Sequence, residues 1–311
     1  MRPAAGLLVS LCVIAGCTSR PAPANPAPVN SVAERPAAGS AARGPASVSA
    51  AGASRPGASA SARVTPAPVT SPAVTVSRLR TPDGSLVTVA VFRGPVRYVL
   101  HDGSQDPASA YTRVVRAGPA VAAAERGRLL AAFNGGFLMR SHAGGYVQEG
   151  HVFRALRHGL ASLVIDRSGR ARIGAWQHGL PAPGEAVYSV RQNLWPLVDG
   201  GRPTAQAARW WRWGGTFDHA EYVARSALGQ DAAGNLIYAA SMSTTPADLA
   251  LALVRSGART GMELDINPEW VQLAVASTPG GPLAQGIPGQ VRPATQYLTG
   301  WSRDFVTVLT P

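Results

Sequence analysis

The feature that most constrains this chain is a break in composition near residue 74. From Thr18 to about Ser71 the sequence is almost entirely Ala, Pro, Ser, Gly, Val and Arg, with no aromatic residue. Such a segment cannot bury enough apolar surface to offset the entropy lost on ordering. We therefore expect residues 18–73 to be a disordered linker and a folded domain to occupy residues 74–311.

The first residues predict export and attachment to a membrane. Arg2 precedes a short apolar run that is too short to span a bilayer stably and is typical of a signal peptide. The run ends in Ile14-Ala15-Gly16-Cys17, which resembles a bacterial lipobox. Residues 1–17 are thus predicted to be a lipoprotein signal peptide, with Cys17 lipidated and the protein anchored outside the cytoplasm. The alternative is an ordinary secretory signal that contains a chance Cys.

Charge and cysteine content exclude several classes of protein. The formal net charge is +12, but eight Arg and only one acidic residue lie in the first eighty residues, so the predicted domain is mildly basic. Nucleic acid is therefore not an expected partner. Both Cys residues precede residue 20, which excludes a disulfide framework and a Cys-rich zinc site. We expect no metal, no cofactor and a monomer.

Alternating apolar residues after Val74 predict an α+β domain with a strand-rich mixed sheet and a few packed helices. A hairpin is expected from Val223–Gln230 to Leu236–Ala240. Further strands are expected at Leu86–Phe92, Arg97–Leu100, Leu129–Phe133, Tyr146–Phe153, Ala161–Ile165 and Arg172–Trp176. Two helices are expected, at Asp106–Ala117 and from the N-cap Thr245 to the stop at Gly257.

Two carboxylates on one predicted strand are the strongest candidates for chemistry. Met262, Leu264 and Ile266 alternate with Glu263, Asp265 and Asn267, so the polar side chains should share one face. Such a group can activate water, bind sugar hydroxyls or hold a cation. The alternative is a strand whose polar face is merely solvated.

Three other segments could bind a ligand. Asn134, Gly135 and Gly136 follow an apolar strand, where the glycines would let backbone N–H groups approach an anion, although a plain turn also explains them. Arg225 has small neighbours on its strand face and could bind phosphate, or it could be a surface Arg. Trp211 lies in an Arg- and Trp-rich run before Gly214-Gly215, which suits either sugar stacking or a packed loop.

In their order along the chain, these segments resemble the phosphodiester glycosidase domain family. The resemblance covers roughly residues 85–310 and is carried by Phe133–Phe137, Gly144–Tyr146, Arg191–Leu194, Arg225–Gly229 and Met262–Asn267. Well-known members have Asn-Leu-Asp-Gly-Gly at the last motif, where this chain has Glu263-Leu264-Asp265-Ile266-Asn267, so Asp265 is the matching residue.

The resemblance implies hydrolysis of a sugar-1-phosphodiester in an envelope or extracellular glycan. Asp265 would be the catalytic carboxylate, with Glu263 as the alternative base, and Arg225 would bind the phosphate. Asn134, Gly135, Gly136, Asn267 and Trp211 would position the phosphate-linked glycan. Two other classes remain open: a non-catalytic binder of anionic cell-wall polysaccharide, and a structural envelope lipoprotein.

Overall fold

The structure, a computed structural model, describes residues 70–107 and 114–311. The predicted signal peptide, Cys17 and nearly all of the predicted linker lie outside the described residues. The strand Val74–Arg80 begins at the residue where the sequence changes composition. Within the described residues, no helix is both long enough and apolar enough to cross a membrane.

The described residues form three sheets. The first contains β1 (Thr70–Ser71), β2 (Val74–Arg80), β3 (Leu86–Phe92), β11 (Pro196–Asp199), β12 (Arg202–Pro203), β13 (Val223–Asp231), β14 (Leu236–Thr244) and β15 (Ala258–Glu263). The second contains β4 (Arg97–His101), β5 (Leu129–Asn134), β16 (Leu273–Ala276), β17 (Leu283–Gln285) and β18 (Phe305–Leu309). The third contains β6 (Tyr146–Gln148), β7 (His151–Arg154), β8 (Ala161–Ile165), β9 (Ala171–Ala175) and β10 (Ser189–Gln192).

The fold is mostly β, and the expectation of a mixed sheet was wrong. The strands are ordered β1-β2-β3-β14-β13-β15-β11-β12, β17-β16-β5-β18-β4 and β7-β6-β10-β8-β9. Within the described ranges every pairing between named strands is antiparallel. An apolar run shows that a strand is buried but not in which direction its neighbour runs. The sequence pattern therefore could not distinguish a mixed sheet from an antiparallel one.

The large first sheet is buried on both faces at its centre. Because successive side chains point to opposite faces of a strand, Val87, Val89 and Val91 of β3 pack in a different cluster from Ala90 and Phe92. The cluster that contains the three valines also includes residues of a helix. The cluster that contains Ala90 and Phe92 forms the main core with residues of the other sheets. This double burial explains why every residue of β3 except Thr88 is apolar, with no alternation of apolar and polar residues.

Three α-helices are present in the described chain: α1 (Ala123–Arg126), α2 (Pro246–Arg255) and α3 (Gln296–Thr299). Helix α2 confirms the sequence prediction, since the Thr245 side chain accepts a hydrogen bond from the Asp248 N–H and Pro246 occupies the first turn. Its buried Leu249 and Leu253 pack with the strand residues of the first sheet.

Two local expectations differ from the structure. The predicted strand Tyr146–Phe153 is a hairpin of β6 and β7, because Glu149 and Gly150 both have positive φ and reverse the chain. The predicted helix Asp106–Ala117 falls partly on residues 108–113, which lie outside the described ranges, and the described residues at its two ends form turns and bends. The hairpin of β13 and β14 is confirmed.

Candidate functional site

A cavity of about 190 Å³ lies at the residue that the sequence singled out, Asp265. Its walls include Asp265, Asn267, Trp270 and Arg303, and the Gly214-Gly215 pair. Three larger depressions, of about 400, 460 and 400 Å³, lie elsewhere and contain none of the predicted site residues. The smaller cavity is the candidate site, since its wall contains Asp265 and a direct ion pair between this carboxylate and Arg303.

Asp265 is held in a fixed orientation just beyond the end of β15. Its Oδ1 accepts hydrogen bonds from the backbone N–H groups of Ile266 (2.8 Å) and Asn267 (2.9 Å). Its Oδ2 accepts one from Arg303 Nη2 at 3.1 Å. Burial raises the pKa of Asp265 to about 6, against the opposing effect of Arg303 and the two amides. The carboxyl is thus largely ionised at neutral pH but can accept a proton.

Arg303 is the cation of the site, and the sequence analysis missed it. Its Nη2 also donates to the Gly136 carbonyl oxygen at 2.9 Å, and its Nε lies 3.7 Å from Asp106 Oδ2. Its guanidinium carbon lies 5.0 Å from the centre of the Trp270 ring, within the range of a cation–π contact. Contacts on several sides therefore hold the guanidinium in place before any ligand binds.

Arg225 and Glu263, which the sequence placed with Asp265 in the site, form a separate ion pair behind its wall. Both are fully buried, and Arg225 Nη1 lies 2.8 Å from Glu263 Oε1. The same Nη1 donates to the Trp213 carbonyl oxygen at 3.0 Å, immediately before the Gly214-Gly215 pair that lines the cavity. Burial raises the pKa of Glu263, and Arg225 opposes that rise. The prediction that Glu263, Asp265 and Asn267 share one face of a strand differs from the structure, because β15 ends at Glu263 and the side chain of Glu263 is buried against Arg225.

Asn134 forms hydrogen bonds within the protein through both atoms of its amide. Its Nδ2 donates to the Gly135 carbonyl and to Ser226 Oγ, at 2.8 and 2.9 Å. Its Oδ1 accepts from the Tyr238 hydroxyl at 2.8 Å and from the Gln272 N–H at 3.2 Å. Asn134 is buried, so in this structure its amide joins four chain segments rather than facing the cavity.

Gly135 and Gly136 permit a close approach between the chain and a buried ion pair. A Cβ at Gly135 would lie 2.0 Å from Asp304 Oδ2, and one at Gly136 would lie 2.8 Å from the Arg191 guanidinium carbon. Asp304 and Arg191 pair at 2.7 Å, and the Gly135 N–H donates to the Asp304 carbonyl oxygen at 2.9 Å. These glycines therefore place the Gly136 carbonyl against Arg303.

Asn267 and Trp211 occupy more exposed positions. Asn267 lies in the cavity wall, and its Oδ1 accepts a hydrogen bond from the Glu269 N–H at 2.9 Å. Trp211 lies in a 3₁₀ turn, Trp210–Arg212, and exposes 62% of its surface. It is not part of the cavity wall, although Gly214, three residues further on, is.

The described residues offer no cluster of three or more His, Cys, Asp or Glu side chains that could hold a metal ion.

Three of the predicted positions, Asp265, Asn267 and the main chain of Gly136, meet at or beside the cavity. Arg303 and Trp270 complete it. Arg303 immediately precedes Asp304 and the buried strand β18, but nothing in that local pattern shows which distant residues the pair would meet.

No protein-family model and no curated protein matches the chain. Among solved structures, one that is similar is the catalytic domain of zebrafish N-acetylglucosamine-1-phosphodiester alpha-N-acetylglucosaminidase, auto-inhibited by its pro-peptide. It is 14% identical with a TM-score of 0.47, and the match covers 76% of this chain and 82% of that one. A hypothetical protein from Synechocystis is 13% identical with a TM-score of 0.45, and the match covers 76% of this chain and 62% of that one.

Proposed function

We propose that this protein is a hydrolase of the phosphodiester glycosidase type, which cleaves a sugar-1-phosphodiester bond in an envelope or extracellular glycan. The observation that carries the proposal is the pairing of Asp265 and Arg303, 3.1 Å apart, in the wall of one cavity beside the Trp270 ring. The order of motifs that resembles the phosphodiester glycosidase family supports the same reaction.

The residues of the cavity suit the charge that such a reaction develops. When the C1–O bond breaks, its electron pair leaves with the phosphate, and a phosphate monoester with a second pKa of about 6 needs little protonation to depart. Arg303 would stabilise the departing phosphate, which makes it the phosphate ligand in place of the predicted Arg225.

Asp265 would act on the other side of the broken bond. Its carboxylate accepts a proton from water as the water oxygen forms a bond to C1, so that a free sugar and a phosphate monoester are the products. The ring of Trp270 offers a face for the sugar, and the Asn267 amide offers hydrogen bonds to its hydroxyls. Glu263 and Arg225 would act indirectly, by holding the Gly214-Gly215 part of the wall.

The test is hydrolysis of a panel of sugar-1-phosphodiesters by the full chain, followed through release of free sugar. We expect turnover by the parent protein and its loss in Asp265→Asn. The matched control is Glu269→Gln, because Glu269 is a partly exposed acid close in sequence whose carboxylate pairs with Arg292 instead. Full activity in Asp265→Asn would remove the central claim.

A non-catalytic binder of anionic cell-wall polysaccharide is the second candidate. It is favoured by the fact that both oxygens of Asp265 already accept hydrogen bonds, as those of a structural carboxylate do. The two functions separate in one experiment, because an enzyme releases sugar over time whereas a binder only retards the polymer. Retention without turnover across the whole panel would favour the binder.

The proposal includes export and a lipid anchor at Cys17, which rest on the lipobox-like sequence alone. Two acyl chains or more are needed for stable anchoring. Incorporation of labelled fatty acid into the parent protein, and its absence in Cys17→Ser, would support this attachment. Equal labelling of the two proteins would contradict it.

A further inference from the structure

Trp211 belongs to an exposed group of aromatic and basic side chains outside the cavity. The rings of Trp210 and Trp211 meet edge to face, with their centres 6.0 Å apart. The Arg212 guanidinium carbon lies 4.8 Å from the centre of the Trp195 ring, and Trp195 is itself 37% exposed. We refer to Trp195, Trp210, Trp211 and Arg212 as the tryptophan surface. Exposed aromatic clusters of this kind mark binding surfaces more often than isolated apolar residues do.

The turn that carries Trp211 is held in place by the buried residue that follows it, Trp213. Trp213 is fully buried, and its indole Nε1 donates to the Gln206 carbonyl oxygen at 2.8 Å. Its own carbonyl accepts the hydrogen bond from Arg225, whose other partner is the buried Glu263. Because Trp213 is fixed on both sides, the 3₁₀ turn before it presents Trp211 outward from a defined support.

Position and charge indicate what this surface binds. The segment continues directly into Gly214 and Gly215, which line the Asp265 cavity. From Arg202 to Phe217 the chain contains three Arg and no acidic residue. Aromatic faces pack against sugar rings, and guanidinium groups pair with phosphate through two donors. The surface therefore matches a chain of sugars that carries phosphate groups.

We propose that the tryptophan surface is a second binding site, which holds the polymeric part of a phosphate-linked glycan while one linkage lies in the cavity. The inference takes the chemistry of its ligand from the proposed function. It adds that the substrate is a polymer rather than a small diester. Trp211 accordingly binds repeats beyond the bond that is cleaved.

The experiment compares two probes on the full chain: a polysaccharide of many phosphodiester-linked sugar repeats, and the single-repeat diester. We expect Trp211→Ala to weaken the affinity for the polymer by about ten-fold, since one aromatic contact of this type is worth roughly a factor of ten. The affinity for the single repeat should not change. Tyr222→Ala is the matched control, because Tyr222 is 46% exposed but lines a different depression with Asp83 and Leu86.

Four results would overturn the inference. The first two are an unchanged affinity of Trp211→Ala for the polymer and an equal loss of affinity for both probes. The third is binding to phosphatidylglycerol vesicles that depends on Trp211 while polymer binding does not. The fourth is a dimer in sedimentation that forms with Trp211 and is lost in Trp211→Ala. The binding measurements are repeated with Asp265→Asn. If neither the parent nor any variant hydrolyses either probe, but Trp211→Ala still lowers the affinity for the polymer alone, the proposed reaction fails and the second site stands.

Discussion

Replacing Asp265 by Asn should change how stability depends on pH, as well as removing activity. Burial raises the pKa of this carboxyl from 3.8 to about 6. The folded protein therefore holds the proton more tightly than the unfolded chain does. As the pH rises, the unfolded chain ionises first, so the stability contributed by Asp265 is full below its unfolded pKa and is lost as the pH approaches the folded value.

The magnitude follows from the size of the shift. Each pKa unit corresponds to about 1.4 kcal/mol, so a rise from 3.8 to about 6 amounts to about 3 kcal/mol. The side chain is only 5% exposed, so solvent screening reduces this figure little. Asn has the shape of Asp but does not titrate, and Asp265→Asn therefore removes this contribution at every pH.

The assay is urea unfolding of the full chain between about pH 4 and pH 7, followed by tryptophan fluorescence. Relative to Asp265→Asn, the parent should lose about 2.5 kcal/mol of unfolding free energy across this range, and the change should be complete about one pH unit above the folded pKa. Taking the difference cancels whatever constant effect the substitution has on Arg303. A difference that is independent of pH, or one that grows in favour of the parent as the pH rises, would refute the reasoning.

Three other substitutions test the arrangement around the cavity. Arg303→Lys should keep the fold but lower kcat by about 100-fold or more in the hydrolysis assay, because Lys cannot hold two acceptors in a fixed fork; unchanged kcat would exclude Arg303 from the reaction. Asn134→Ala should lower the unfolding free energy by about 3 kcal/mol in urea, since it leaves buried donors unpaired; a loss below about 1 kcal/mol would contradict the role given to its amide. Gly214→Ala should weaken binding of the single-repeat diester, as measured by calorimetry. The reason is that Gly214 has a φ of +99° and that a Cβ there would lie 2.4 Å from Ile266 Cδ1. An unchanged affinity would show that the wall at Gly214 does not shape the site.

Much of the fold could be predicted because its signals are local. The N-cap Thr245 with Pro246 marks the start of α2, and the turn at Asp231 marks the hairpin of β13 and β14. Strand direction was not predictable in this way. Antiparallel order depends on which distant segments pair, and burial on both faces removes the alternation that would distinguish one face from the other.

The candidate site could be predicted only in part, since its charges pair across long stretches of chain. Asp265 was found from a local pattern, whereas Arg303 meets it from 38 residues further on. Glu263 was expected to share a polar face with Asp265 because both alternate with apolar residues, but Arg225 on the neighbouring strand pairs with Glu263 in the interior. A buried ion pair and a solvated polar face have the same sequence pattern, and only the tertiary fold separates them.

The central claim is that the C1–O bond of a sugar-1-phosphodiester breaks in the cavity of Asp265 and Arg303. The most direct test is to run the reaction of the parent protein in ¹⁸O-labelled water and to record the ³¹P spectrum of the phosphate monoester product. Cleavage at C1 places the water oxygen on the sugar, so the account predicts a phosphate signal without an isotope shift. A phosphate that carries ¹⁸O would show that the P–O bond is cleaved, and it would contradict the account.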